Sequence, residues 1–172
     1  KYMAKPLSDW LKWSIPRIEE LGLFSEEKKY LLDIGSGIGC APALAKYLGH
    51  SVLATDIYEK PFDKTTLYYS KVVELFDLDY KPWPVKRFEK SPYRGPFDVI
   101  SCYCGMFPII SKNPTRVWGV DEWEFFLDDL KSITNPGGLI LLNPNEVCRT
   151  KDIEKYLSTK GDYREGKIII CL

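Results

Sequence analysis

The chain has 172 residues, with 24 Lys plus Arg against 24 Asp plus Glu, so its formal net charge is zero. With 45% apolar and 28% charged residues, this is the composition of one globular domain rather than a disordered chain. The missing basic excess argues against nucleic acid as a partner, no apolar run approaches the roughly 18 residues of a membrane span, and Lys1 to Trp10 lacks the apolar core of a signal peptide. Five cysteines (Cys40, Cys102, Cys104, Cys148 and Cys171) are an odd number in a chain too large to need disulfide staples, which predicts reduced thiols and a cytoplasmic protein.

Residues 7–22 read as a helix capped by Ser8, with Trp10, Leu11, Trp13, Ile15, Ile18 and Leu21 on its apolar face and Pro16 splitting it. Tyr30 to Ile34 is a short apolar run that enters Gly35-Ser36-Gly37-Ile38-Gly39. Residues 40–48 then suit a helix stopped by Gly49, and Ser51 to Thr55 a second strand closed by Asp56. Strand, glycine turn, helix and strand make a βαβ unit. A helix is expected over 63–77, a weak strand over Val85 to Phe88 and a strong one over Phe97 to Cys102. Asp121 to Ile133 is amphipathic, and Pro136-Gly137-Gly138 turns the chain into the strand Leu139 to Leu142. A helix at 150–160 and a strand at 167–172 finish it. The alternation predicts an α/β fold: a doubly wound, mostly parallel sheet of six to seven strands in three layers, with helices on both faces and a shortened C-terminal strand region. Residues 1–172 are then a single domain, with an N-terminal helical cap (1–25), a nucleotide-binding core (28–145) and a C-terminal helix and strand (146–172).

The glycine loop follows an apolar strand and opens a helix, and Asp56 ends the next strand 17 residues after Gly39. Glycines let a backbone approach a ligand closely, and a carboxylate near that spacing reaches a ribose hydroxyl pair. The pattern points to a nucleoside. A dinucleotide fingerprint needs Gly-x-Gly-x-x-Gly/Ala, whereas Cys40 stands where the third small residue belongs.

Leu31-Leu32-Asp33-Ile34-Gly35-Ser36-Gly37-Ile38-Gly39 resembles the nucleotide loop of class I S-adenosylmethionine-dependent methyltransferases. Val52-Leu53-Ala54-Thr55-Asp56, Pro96-Phe97-Asp98-Val99-Ile100 and Asn135-Pro136-Gly137-Gly138-Leu139-Ile140-Leu141-Leu142 resemble that family's second, fourth and fifth strands, in family order. The resemblance implies S-adenosyl-L-methionine as cofactor and a small-molecule substrate; the charge balance, the hydropathy and the lack of a ligand cluster add the expectation of no nucleic acid, no membrane and no metal. It implies that Gly35, Ser36, Gly37 and Gly39 cradle the methionine moiety and Asp33 orients its amino group. Asp56 would accept the ribose hydroxyls, Ile57 or Tyr58 would flank adenine, and Glu89 and Cys102 would complete the cofactor site. The family usually closes with a sixth strand and an antiparallel seventh, and the sequence after Leu142 shows only one clear strand.

Ligands in open α/β sheets bind beyond the carboxyl ends of the strands. That rule retains Tyr103, Asn143 and Asn145 as candidates for contacting the acceptor, with Asp121, Glu122 and Glu146 as further groups within the chain's repertoire. It discards His50, the only histidine, which precedes its strand, and makes Asp98 a structural carboxylate. Cys102-x-Cys104 reads as buried thiols. Lys81, Lys86, Arg87, Lys90 and Arg94 read as a solvated basic face or a greeting for an acidic substrate. Two other readings stay open: a non-catalytic adenosyl-binding module working in a complex, and an NAD-dependent oxidoreductase.

Overall fold

A computed structural model describes residues 6–57, 71, 73–105 and 117–172. Its seven strands are β1 (Tyr30–Ile34), β2 (Ser51–Asp56), β3 (Asp79–Pro82), β4 (Phe97–Gly105), β5 (Thr134–Pro144), β6 (Asp162–Arg164) and β7 (Lys167–Cys171). They form one sheet in the order β3-β2-β1-β4-β5-β7-β6. The helices among the described residues are α1 (Leu7–Glu20), α2 (Cys40–Tyr47), α3 (Val120–Ser132) and α4 (Lys151–Leu157). The expected mostly parallel α/β sheet is therefore present, with seven strands. The helix expected over 63–77 lies largely outside the described residues. Internal contacts divide the chain into two compact units, Lys1–Trp83 and Pro84–Leu172, a boundary that falls inside the expected 28–145 core.

In the first unit β1 pairs in parallel with β2 from Tyr30↔Ser51 to Ile34↔Thr55, and β2 pairs with β3 from Leu53↔Asp79 to Asp56↔Pro82. Leu31 to Ile34 are all buried, as a strand with neighbours above and below requires. The third strand is thus six residues earlier than Val85–Phe88. Its pattern of exposed residues gives no apolar signal, and Pro82 is tolerated because it sits at the end of the sheet's edge strand. Helix α1 begins after Pro6, so Ser8 lies inside the helix and does not cap it. Pro16 does not split it either. The ring removes the donor that the Lys12 carbonyl would meet, but Lys12 is exposed to water, while buried Ser14, Ile18 and Leu21 hold the inner face.

His50 precedes β2, at the opposite end from Asp56. It is not a surface residue: it is 4% exposed and carries two main-chain contacts. The Lys29 N–H donates to Nδ1 at 3.2 Å, which leaves the proton on Nε2, 2.7 Å from the Leu23 carbonyl oxygen. With both ring nitrogens so engaged, the imidazole is a structural connector.

In the second unit β5 pairs in parallel with β4 and antiparallel with β7. It starts at Thr134, not at Leu139. Phe97 pairs with Thr134 and Val99 with Leu139, so the Pro-Gly-Gly segment bulges within the strand instead of preceding it. Gly138 is needed there because a Cβ would fall 2.6 Å from Thr134 Cγ2 and 2.8 Å from the Asn135 carbonyl oxygen. Asn135 Nδ2 donates to Asp98 Oδ1 at 2.6 Å, which gives Asp98 the structural role expected of it. The buried face of α3 carries Trp123, Phe126, Leu127 and Leu130, and Trp118 stacks edge-on against Trp123 and Phe126. A sixth strand, not expected from the sequence, is supplied by three residues hairpinned to β7. Glu165 and Gly166, at φ 52° and 76°, form the two-residue turn.

The His50 contacts predict that His50→Ala leaves the Lys29 N–H and the Leu23 carbonyl without partners. Stability should fall by about 1–3 kcal/mol, read as a lower urea midpoint at unchanged m-value, with ligand binding at the far end of β2 unaffected.

Candidate functional site

The chain leaves β1 through three alternate glycines, each in the left-handed region: Gly35 (φ 72°), Gly37 (φ 57°) and Gly39 (φ 78°). They serve different needs. A Cβ on Gly39 would lie 2.8 Å from Leu78 Cδ1, so this glycine lets the start of α2 close against its neighbours. Among the described residues a Cβ on Gly35 or Gly37 would meet nothing within 4 Å. There the backbone is bare on an open side, the condition for a ligand to approach main-chain atoms.

Asp56, at the carboxyl end of β2, reaches back to this loop. Its Oδ2 accepts the Gly37 N–H at 2.8 Å and its Oδ1 the Ile57 N–H at 2.7 Å. Burial pushes its carboxyl above the ordinary range, and the two N–H donors oppose that rise. Ile57 is 54% exposed beside it. Tyr58 lies outside the described residues. Asp33 is 5% exposed beneath the loop.

The Ser36 hydroxyl turns toward the sheet. Oγ lies 3.0 Å from the Asp33 carbonyl oxygen and 3.1 Å from that of Thr55, and accepts the Thr55 N–H at 3.0 Å. The Ser36 N–H donates to the Thr55 carbonyl at 2.8 Å. Thr55, which sequence reasoning missed, is fully buried and donates its own hydroxyl to the Asp33 carbonyl at 3.1 Å. No motif marks it; the only sequence signal is its place directly before the strand-ending acid.

Ile38 and Cys40 are buried together, with Trp10, Leu11 and Phe76 packed against them. Helix α1 thus packs on the start of α2 through Trp10, whose ring meets Trp13 edge-on at 5.4 Å while Trp13 remains 42% exposed. Burial raises the Cys40 thiol to about 11, with Arg17 opposing, so it stays protonated and is no nucleophile.

In the second unit Tyr103 and Asn143 are register partners near the carboxyl ends of β4 and β5, both half-buried. They are brought together as neighbours. Asn145 is otherwise occupied. Its Oδ1 accepts the Val147 N–H at 3.2 Å and its N–H donates to Gly105 O at 2.8 Å, so it caps the short 3-10 turn Glu146–Cys148. Cys102 is 1% exposed, which leaves only its main chain for a ligand; the Cys104 side chain lies outside the described residues. Glu89 does not follow β3, which ends at Pro82. It is exposed and paired with Lys86 at 3.3 Å. Glu122 accepts the Gly119 N–H and Arg87, which makes it a helix cap. Lys81, Lys86 and Arg87 each have a carboxylate partner, as a solvated face would. Among the described residues no cluster of three or more His, Cys, Asp or Glu could hold a metal ion, and no helix is long and apolar enough to cross a membrane.

No family model and no curated protein matches this chain. Solved structures do. A ribosomal protein L11 methylase from Lactobacillus delbrueckii subsp. bulgaricus is 18% identical over 92% of this chain and 74% of its own, with a TM-score of 0.54. The 16S rRNA N2 G1207 methyltransferase of T. thermophilus, in complex with AdoMet and guanosine, is 19% identical over 96% and 42%, at 0.56. An amino pentose methyltransferase from Micromonospora echinaspora with SAM bound is 13% identical over 82% and 52%, at 0.50. This chain spans about half the length of the last two. Methyltransferases with RNA and ribosomal-protein acceptors among the similar structures overturn the expectation that nucleic acid is excluded as a partner. Zero net charge was the wrong guide, because a whole-chain sum says nothing about a local surface. The fold is that of the class I methyltransferases.

Proposed function

We propose that this chain is an S-adenosyl-L-methionine-dependent methyltransferase that transfers a methyl group to a small-molecule acceptor by in-line displacement. The observation that carries the reading is the pair Gly35 and Gly37, bare and left-handed, with the Asp56 carboxylate hydrogen-bonded to the same loop. A nucleoside with a zwitterionic amino-acid tail suits such a site. Loop main chain would approach the tail, Asp56 has lone pairs left for two ribose hydroxyls, and exposed Ile57 offers an apolar surface to a base.

The cofactor, when bound, supplies an electrophilic methyl group on a sulfonium. The protein's part is alignment and exclusion of water. Asp33, Gly35, Gly37 and Gly39 bind the amino-acid end and Asp56 fixes the ribose. Tyr103 and Asn143, in the second unit, would contact the acceptor through hydroxyl and amide, and a proton leaving it passes to water. His50 takes no part, since both ring nitrogens are committed to main chain. The sugar-methylating enzyme among the similar structures supports a small acceptor. The odd number of cysteines, five, in a chain too large to need disulfide staples supports a reducing, cytoplasmic setting. The NAD reading has against it a glycine spacing without the third small residue. The non-catalytic reading loses one of its grounds now that the sixth strand is present.

Thermal unfolding tests the cofactor. S-Adenosylhomocysteine at 100 times its dissociation constant adds about 2.7 kcal/mol, roughly 5–10 °C for a chain of this size, and NAD should add nothing. No shift up to millimolar ligand contradicts the reading. Acceptors are then sought by transfer of labelled methyl to sugars, amines and phenols, with 16S rRNA and ribosomal protein in parallel; label in the macromolecules alone refutes the small-molecule assignment.

Two predictions separate binding from folding. Gly37→Ala should cost only about 1–2 kcal/mol of stability, the usual price of a left-handed L-residue, yet weaken S-adenosylhomocysteine at least tenfold, because the methyl enters ligand space. Equal losses in both would contradict the assignment. The second concerns pH. The raised carboxyl of Asp56 means that its ionised, hydroxyl-accepting form is lost above the pH where an ordinary carboxylate titrates. Affinity should therefore fall as pH drops through that region. The empty fold binds this proton more tightly than the unfolded chain does, so the same group adds stability as pH falls. The stability difference between wild type and Asp56→Asn against pH, beside calorimetric affinities, reads both signs.

A further inference from the structure

We propose that Ser36 is a positioning residue that holds the glycine loop in its ligand-receiving form without touching the ligand. The inference rests on the cofactor reading above for its ligand, and on main-chain hydrogen bonding for its argument.

In a parallel ladder one residue presents its N–H and C=O to the same neighbouring strand. Thr55 turns both toward β1 at the point where β1 stops, since Ile34↔Thr55 is the last registered pair. The next residue, Asp56, turns to the other side, where its carbonyl accepts the Trp83 N–H at 2.6 Å. Thr55 is fully buried, so water cannot serve its two main-chain groups. Gly35 swings the chain away from the sheet, and Ser36 meets both main-chain groups of Thr55 from beyond the end of β1. Its N–H donates to the Thr55 carbonyl at 2.8 Å and its Oγ accepts the Thr55 N–H at 3.0 Å. The single hydroxyl proton is then shared between the Asp33 and Thr55 carbonyls, at 3.0 and 3.1 Å. One side chain thus takes the place of a strand residue and pins the loop to the end of β2.

The consequence reaches the ligand groups on both sides of Ser36. Asp33 is held through its carbonyl by Ser36 and by the Thr55 hydroxyl. Gly37 follows directly, and its N–H points at Asp56 Oδ2, 2.8 Å away. The spacing between the bare glycine backbone and the ribose-binding carboxylate is therefore set by a residue that contacts neither tail nor ribose through its side chain. An alanine here retains the backbone bond but removes the hydroxyl's bonds to the Thr55 N–H and to the Asp33 and Thr55 carbonyls. The loop is then held to β2 by main chain alone, and the Gly37–Asp56 geometry is less firmly set.

The test is calorimetric titration of S-adenosylhomocysteine into wild type, Ser36→Ala, Ser36→Thr and Ser36→Cys, at a temperature well below every variant's unfolding transition. Ser36→Ala should bind at least tenfold more weakly, Ser36→Thr within about threefold of wild type, and Ser36→Cys between them, in the order of acceptor strength. A purely structural role would lower the unfolding temperature yet leave the affinity of the folded protein unchanged, and that result overturns the proposal. Equal weakening in Ser36→Ala and Ser36→Thr also overturns it, because the hydroxyl would not then be what matters. If Ser36→Ala does not fold, the Cys and Thr variants decide by the same ordering. Absence of binding to wild type is a separate outcome, which removes the cofactor reading itself.

Discussion

At the last registered pair of a parallel ladder the chain that leaves must still serve the strand that continues, and in the first unit this happens at Thr55. That residue is buried, and its N–H and C=O are both satisfied by Ser36. Everything at the candidate site follows from how this is solved. The glycine on either side of Ser36 lets the chain leave β1 and return a side chain to β2. The return brings Gly37 within reach of Asp56, and the left-handed turns at Gly35 and Gly37 keep Cβ atoms off the open side. The glycine pattern is therefore as much a solution to a hydrogen-bonding problem in the sheet as an accommodation for a ligand.

The carboxylate shows the tension between those two tasks. Asp56 is pushed toward neutrality by burial and held toward ionisation by two N–H donors. A group so balanced is fixed in orientation before any ligand arrives, since Oδ1 and Oδ2 each have a main-chain anchor. Preorganised acceptors bind hydroxyls with less ordering cost than free ones. Among the described residues nothing comparable fixes a base. His50 is spent on Lys29 and Leu23, Cys40 stays protonated, and Asn145 and Glu122 are caps. Among the described residues beside β4 and β5 stand Tyr103 and Asn143, the pair proposed to contact the acceptor.

The sequence was legible where periodicity and turn chemistry agree. Leu31 to Ile34, the glycine loop and Asp56 announced themselves because a buried run, positive-φ residues and a strand-ending acid each leave a compositional trace. It was misleading where an element is specified by its neighbours. β3 has exposed residues and a proline, and exists because β2 offers an edge at Leu53 to Asp56. β6 has three residues and needs only the Glu165-Gly166 turn and β7. Placing β3 too late carried Glu89 into the site, and the structure returns it to an exposed ion pair with Lys86. Ser36 was recognisable as a loop residue, but the direction of its hydroxyl depends on where β1 ends relative to β2, which spacing alone does not encode.

The most direct test of the central claim is a crystal structure with S-adenosylhomocysteine bound. The account predicts ribose hydroxyls on Asp56, the amino-acid tail over Gly35 and Gly37, and the Ser36–Thr55 and Gly37–Asp56 hydrogen bonds intact. A ligand bound elsewhere, or a loop that must break the Ser36–Thr55 bonds to admit it, would contradict the account.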